Sequence, residues 1–278
     1  MSEIKKEKIE QLRQIANRIR IGIIKEVYYG KSGHPGGSLS IADILATLYF
    51  SEMNIDPKNP KKEDRDRLIL SKGHASPGVY SALAERGYFS KEELLSFRSI
   101  ESKLQGHPDM NKVPGIDMTT GSLGQGLSCA CGMAMAGKLK KKDYRVYAIV
   151  GDGEIEEGQI WEACMSAKQY KLDNLCLIVD NNNLQIDGTI EEVMSSYPID
   201  KKIESFGFEV IKIDGNNIEE ILEAFEKART IKGKPTAIIA KTIKGKGVSF
   251  MENQVGWHGK APNQEQYEMA IKELGGEI

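Results

Sequence analysis

The chain has 278 residues, enough to bury roughly three-quarters of its unfolded surface in one large domain or two small ones. Its 38 basic and 40 acidic residues are intermixed, with a net charge of −2, which argues against the basic face that nucleic-acid binding needs. The N-terminus is rich in Glu and Lys without an apolar core, and no apolar run approaches bilayer-spanning length, so a cytoplasmic protein without signal peptide or membrane span is expected.

Residues 3–29 are predicted to form an amphipathic helix, because Ile9, Leu12, Ile15, Ala16, Ile19, Ile23 and Val27 recur at steps of three and four. Gly30 ends it, and Lys31 to Ser38 reads as a loop. Ser40 is expected to cap a second helix, from Ile41 to about Met53. Leu68 to Leu70 is a short strand running into Ser71-Lys72-Gly73-His74, and a helix follows from about Ser76 to Arg86. Ser90-Lys91-Glu92-Glu93 is a capping box opening another helix. Residues 122–140, rich in Gly, Ala, Met and Leu, predict a closely packed helix deep in the molecule. A strand at 145–150, a helix at about 157–171 and a strand at 175–179 come next. Strands at 208–213 and 236–242 flank a helix at about 217–230, and a last helix spans about 263–274.

Strands alternating with helices predict an α/β fold, a mostly parallel sheet flanked by helices. No repeat or low-complexity linker interrupts it, so one domain over residues 1–278 is expected. Cys129, Cys131, Cys164 and Cys176 show no C-x-x-C spacing and read as reduced core residues.

Gly151-Asp152-Gly153 closes the apolar run Val146 to Val150, and Asn181-Asn182 follows the run Leu175 to Val179. Two buried strands therefore deliver a carboxylate and a carboxamide to one sheet edge, the edge at which open α/β sheets bind ligands. An acid and an amide beside glycine turns suit a divalent cation holding a diphosphate, because Mg²⁺ prefers one or two protein oxygens plus phosphates. The glycines allow close backbone approach, and the helix that follows is expected to offer N–H donors to the diphosphate. Gly-Asp-Gly alone is also a good turn after any strand; the spacing, the second strand and the Asn pair make it informative.

All four histidines stand beside or near glycine, and so on expected loops: His34 in Ser-Gly-His-Pro-Gly-Gly, His74 in Ser-Lys-Gly-His-Ala, His107 in Gly-His-Pro-Asp and His258 in Gly-Trp-His-Gly. Imidazole passes or holds protons near neutral pH, which suits chemistry on hydroxyl groups.

The interval from Gly-Asp-Gly to Asn-Asn resembles the thiamine-diphosphate signature, and the chain as a whole resembles the N-terminal half of a transketolase. The matching segments run from Ser32-Gly33-His34-Pro35-Gly36-Gly37 through Leu70-Ser71-Lys72-Gly73-His74-Ala75, Gly106-His107-Pro108-Asp109 and Thr119-Thr120-Gly121-Ser122-Leu123-Gly124-Gln125-Gly126. They continue with Gly151-Asp152-Gly153-Glu154-Ile155-Glu156-Glu157-Gly158, Asp180-Asn181-Asn182 and Trp257-His258-Gly259, in the family's order, over residues from about 15 to 260.

The resemblance implies a thiamine-diphosphate-binding fold of the diphosphate (PP) type. It implies Mg²⁺, or Ca²⁺ or Mn²⁺, held by the side chains of Asp152 and Asn182 and the carbonyl of Leu184. Gly151 and Gly153 would lie beside the diphosphate. His34, His74, His107 and His258 would line the place where a ketose meets the cofactor, His74 and His258 also approaching the diphosphate and His107 binding the donor's terminal hydroxyl. Gly121 and Leu123 would pack on the aminopyrimidine ring, with Ser122 between them in the cofactor-binding set, and Ile186 on the thiazolium. Glu157 would join a carboxylate network between two cofactor sites at a subunit interface; its alternative reading is a solvated first-turn acid. Lys244 and Lys246 read either as neighbours of phosphate or as an exposed basic turn.

The implied reaction moves a two-carbon ketol unit from a ketose, by default a pentose phosphate, to an aldose. In this family a glutamate from a second, pyrimidine-binding domain contacts the cofactor's pyrimidine, and transketolases are over twice this length. A split enzyme is therefore expected. Its partner would be a separate C-terminal subunit, its assembly an α2β2 heterotetramer, and its substrates sugars or sugar phosphates. Rival readings are the matching subunit of a deoxyxylulose-phosphate synthase or 2-oxoacid dehydrogenase, and a non-catalytic scaffold. A nicotinamide fingerprint on Gly151 and Gly153 fails, because its third glycine would stand where Glu156 is and Gly158 comes two places late.

Overall fold

The apolar runs become strands because helices cover both of their faces, as in buried parallel sheets. The computed structural model describes residues 3–277. Helices α1 (Glu3–Tyr29), α2 (Pro35–Leu39) and α3 (Ala42–Thr47) precede strand β1 (Arg67–Leu70). Then come α4 (Ser76–Arg86), α5 (Gln125–Leu139), β2 (Val146–Gly151), α6 (Gly158–Gln169) and β3 (Leu175–Asn181). The chain continues through α7 (Ile190–Val193), α8 (Ile199–Ser205), β4 (Glu209–Asp214), α9 (Ile218–Thr230), β5 (Thr236–Lys241) and α10 (Gln264–Glu273).

The five strands form one sheet in the order β1-β2-β3-β5-β4, parallel at every pairing. Side chains alternate between its faces. Tyr147, Ile149, Cys176 and Ile178 join a core with α1, α3, α4 and α9. Val146, Ala148, Val150, Leu175, Leu177 and Val179 join a second core on the opposite face, with α5 and α6. The four cysteines are free; Cys131, Cys164 and Cys176 are buried and Cys129 is half-buried. Among the described residues no helix is long and apolar enough to cross a membrane.

Several boundaries depart from the sequence reading. The expected loop before Ser40 contains α2, which Pro35 opens with the fixed φ suited to a first helical position. A Cβ on Gly36 would stand 2.9 Å from the Trp257 carbonyl oxygen, so this glycine serves close approach within a helix rather than looseness. Ser40 does not cap the following helix, whose N-cap is Ile41; it ends α2, its N–H donating to the Gly36 carbonyl, and its hydroxyl lies 3.1 Å from the Gly37 carbonyl and 2.7 Å from Asp180 Oδ2. The helix expected to reach Met53 ends at Thr47 and passes into a π-helical turn over Leu48–Glu52. The capping box at Ser90 is present, yet it opens only a 3₁₀ turn, Lys91–Ser96. Helix α5 is not deep: Leu127, Ala130 and Ala134 face the core while Gly132 and Leu139 are exposed. The short helices α7 and α8 carry too few periodic residues to be seen in the sequence.

Candidate functional site

Adjacent β2 and β3 pair Gly151 with Asp180 at their C-terminal ends, so the residues just beyond them are neighbours. Asp152 is 2% exposed and Asn182 8%. Asp152 Oδ1 accepts the Gly153 N–H at 3.0 Å and Oδ2 accepts the Asn183 N–H at 2.5 Å. Burial, reinforced by the nearby Asp180 carboxylate, pushes the Asp152 carboxyl up to about 7. Asn182 Nδ2 donates to Asp180 Oδ2 at 2.9 Å, which turns Oδ1 the other way, where it accepts the Leu184 N–H at 3.2 Å. The turn is tied down by Glu154, whose carboxylate accepts the Gly124 N–H at 2.9 Å, the Gly151 N–H at 3.0 Å and the Ser71 hydroxyl at 2.5 Å. The N–H groups of Gly151 and Gly153 are thus engaged within the turn. A 3₁₀ turn, Glu154–Glu156, separates them from α6, so the helix does not follow the glycines directly as the sequence suggested.

Two buried lysines converge behind this edge. Asp180, fully buried, accepts from Lys72 Nζ at 2.5 Å, from Ser40, from Asn182 and from the Thr242 hydroxyl. Burial raises its carboxyl, but Lys72 and the hydroxyl donors outweigh that and hold it below the ordinary value. Lys244 is 2% exposed, so it is no exposed turn residue. Its Nζ donates to the Leu184 carbonyl at 3.0 Å and lies 2.9 Å from His258 Nδ1. Burial, then the neighbouring Lys72, lowers it to about 8. Lys246, by contrast, pairs with Glu252 at the half-exposed side of the same loop.

The histidines gather although His34 and His258 stand 224 positions apart in the sequence. The ring of His34 lies 5.2 Å from that of His74 and 5.5 Å from that of His258, and the last two rings are 5.3 Å apart. Burial first, then surrounding positive groups, lowers His34 to about 4, His258 to about 3, His74 well below its ordinary value, and His107 below it as well. All four rings are therefore neutral near pH 7. A lysine ammonium can only donate, so His258 Nδ1 is the acceptor and its proton sits on Nε2. Gly121, at φ +149, packs on His107, whose Cγ would be 3.1 Å from a Cβ there.

A cavity of about 400 Å³ joins these groups, a size typical of small-molecule sites. His34, His74, His107, His258, Gly121, Leu123, Gly151, Asp152, Gly153, Glu157, Asn182, Leu184 and Ile186 all line it. Ser122 does not: the turn through Gly121 and Gly124 brings residues 121 and 123 to the cavity and leaves 122 outside, exposed. Glu157 is exposed where α6 begins. Lys72, Glu154 and Lys244 also line the cavity. Lys72 and Glu154 lay inside recognised motifs, but nothing local marks them as buried; a lysine or glutamate is usually solvated unless a partner from elsewhere in the chain meets it.

The family model for the transketolase thiamine diphosphate binding domain matches residues 11–277. The chain belongs to this family. It is 47% identical over 263 residues to the 6-deoxy-6-sulfo-D-fructose transketolase subunit SqwG of Clostridium sp. (strain MSTE9), covering 95% of this chain and 96% of that one. It is 43% identical to an apulose-4-phosphate transketolase subunit of Phocaeicola vulgatus, over 97% of this chain and 96% of the relative. Human transketolase is 44% identical over 98% of this chain, which spans only 43% of the human protein. Among solved structures, Campylobacter jejuni transketolase superposes with a TM-score of 0.92 at 39% identity, again covering 97% of this chain and 43% of that one. The transketolase-type chain thus corresponds in extent to stand-alone subunits and to less than half of the full-length enzymes.

Proposed function

We propose that this chain is the diphosphate-binding subunit, one domain in extent, of a split transketolase that uses thiamine diphosphate and a divalent cation, Mg²⁺ by default. The observation that carries the reading is the meeting of Asp152, Asn182 and the Leu184 carbonyl beside four neutral imidazoles in one cavity. The residues fit a cation. Asp152 is a buried carboxyl with backbone donors alone and a second carboxylate close by, a charge that a cation would compensate. The Leu184 carbonyl already faces an ammonium, and Asn182 Oδ1 keeps a free lone pair beside its one accepted hydrogen bond. Among the described residues no group of three or more His, Cys, Asp and Glu side chains is arranged to hold a metal ion; a set of one carboxylate, one amide and one carbonyl is the kind that leaves room for phosphate oxygens.

Thiamine diphosphate, when bound, supplies the carbon nucleophile and electron sink for moving a two-carbon ketol unit. This chain's residues would do the rest on their side. His74, His258 through Nε2–H, and Lys244 would face the diphosphate, Lys244 as a cation already desolvated. Neutral His34 and His107 each offer one donor and one acceptor to sugar hydroxyls. Leu123 and the exposed Ile186 would support the cofactor rings. The carboxylate that meets the pyrimidine is proposed to come from a partner subunit with the pyrimidine-binding domain, in an α2β2 assembly in the cytoplasm. The two relatives named as separate subunits carry the names of a sulfonated ketose and of apulose 4-phosphate, so an anionic sugar is the proposed substrate class.

Co-expression with a candidate C-terminal partner tests the split. The expected result is no ketol transfer by the purified chain alone, and transfer from a ketose, not from pyruvate, once the two co-purify. Robust turnover by the isolated chain would refute it.

A further inference from the structure

The turns that carry His34 and His107 to the cavity both rest on one side chain that does not line it. Arg98 sits at φ 62, in the left-handed region that arginine seldom occupies. Its backbone N–H donates to the Leu104 carbonyl at 2.9 Å, which closes the segment leading to His107. The guanidinium lies flat on Gly106: a Cβ there would stand 2.5 Å from Nη2, 2.6 Å from Cζ and 2.8 Å from Nε. On the other side, Nη1 donates to Ser32 Oγ at 3.1 Å, two residues before His34. The neighbouring Phe97 extends the same contact, since its ring would be 3.1 Å from a Cβ on Gly33. Nothing else among these contacts spans both turns.

We propose that Arg98 is a positioning residue that ties the His34 turn to the His107 turn and so sets the spacing of the two imidazoles presented to the ketose. The proposal rests on the transketolase reading for what those imidazoles do, but not for the tie itself. A planar guanidinium can lie against Gly106 and donate sideways to Ser32 at once, which an ammonium on a flexible stem cannot. The same group places its charge beside both rings. After burial, Arg98 is the largest cause of the lowered values of His34 and His107. His34 also faces His107 and Lys244, with the His74 and His258 rings beside it.

The test compares R98K and R98M with the parent in two arms. In the first, imidazole titrations of the full chain are followed by NMR. R98M is expected to bring His107 back toward the ordinary imidazole range and to shift the ring signals of both His34 and His107; R98K, which keeps the charge, is expected to leave the His107 value low. In the second arm the chain is assembled with its partner. Both variants are expected to raise the ketose KM about tenfold, as for one lost charge-assisted contact, with kcat within about twofold and cofactor affinity unchanged. Parent-like titration and KM in R98M would overturn the proposal. So would a loss of cofactor affinity in step with KM, which would mean general distortion. If R98M fails to fold, the KM split in R98K decides. An inactive parent assembly would count against the transketolase reading alone, because the titration arm needs no turnover.

Discussion

Asp152 shows how a candidate site residue is specified by its surroundings. The carboxyl is held in place by two backbone N–H groups, yet it is pushed up to about 7 because burial and Asp180 both oppose its charge. Replacing it with Asn keeps the shape and removes the charge. The expected outcome for Asp152→Asn is retained secondary structure by circular dichroism and binding of thiamine diphosphate plus Mg²⁺ weaker by at least about 100-fold in calorimetry, the upper range for losing even an outer metal contact. His34 makes the opposite kind of statement about pH. Its native value of about 4 lies below the 6.5 of the free side chain. Between those limits the unfolded chain takes up a proton that the native ring refuses, so wild-type stability falls as pH drops through that window. Thermal melts at steps from pH 7 to 4 should therefore show His34→Asn gaining on the parent as acid is added. A constant gap between the two would contradict the neutral, desolvated ring.

Elements explain why glycines are concentrated near the cavity. Helix α5 crosses the end of β1 at Gly126, where a Cβ would lie 2.5 Å from Ser71 Oγ and 2.7 Å from Ser71 Cα. Gly126→Ala must push that strand end away, and overpacking of this kind costs about 1–3 kcal/mol. Six residues further on, a Cβ added to Gly132 would meet no atom within 4 Å. Gly132→Ala should stabilise the isolated chain by up to about 1 kcal/mol through helix propensity alone. Chemical denaturation of the two variants checks the opposite signs. Strands β1, β2, β3 and β5 were legible as apolar runs because both of their faces are buried, whereas the edge strand β4 is half-exposed, with Lys212 facing solvent. The motifs, too, were legible, since a Gly-Asp-Gly turn and an Asn pair keep their spacing whatever surrounds them. The order of β4 and β5 was not, because only tertiary packing decides which strand takes the inner position beside β3. Helix α2 was hidden by Gly36 and Gly37, which look like loop residues until the Trp257 carbonyl closes on Gly36. The lysines were hidden for a related reason: Lys72 is made structural by Asp180, 108 positions away.

At the scale of the whole molecule, the proposed cation and cofactor contacts come from five separated stretches, around His34, His74, Gly121, Asp152 to Ile186, and Lys244 to His258. None of these stretches can present its groups until the central strands are paired, so only the completed native state can hold the cofactor. Ligand that binds the native state alone adds about 2.7 kcal/mol when present at 100 times its dissociation constant. Melting the chain with and without thiamine diphosphate and Mg²⁺ should show a clear upward shift that vanishes in Asp152→Asn. In a cell, the same linkage makes the vitamin a custodian of this protein's lifetime: copies synthesised during thiamine shortage would open more often, meet proteases sooner and decline in number before any change in gene expression.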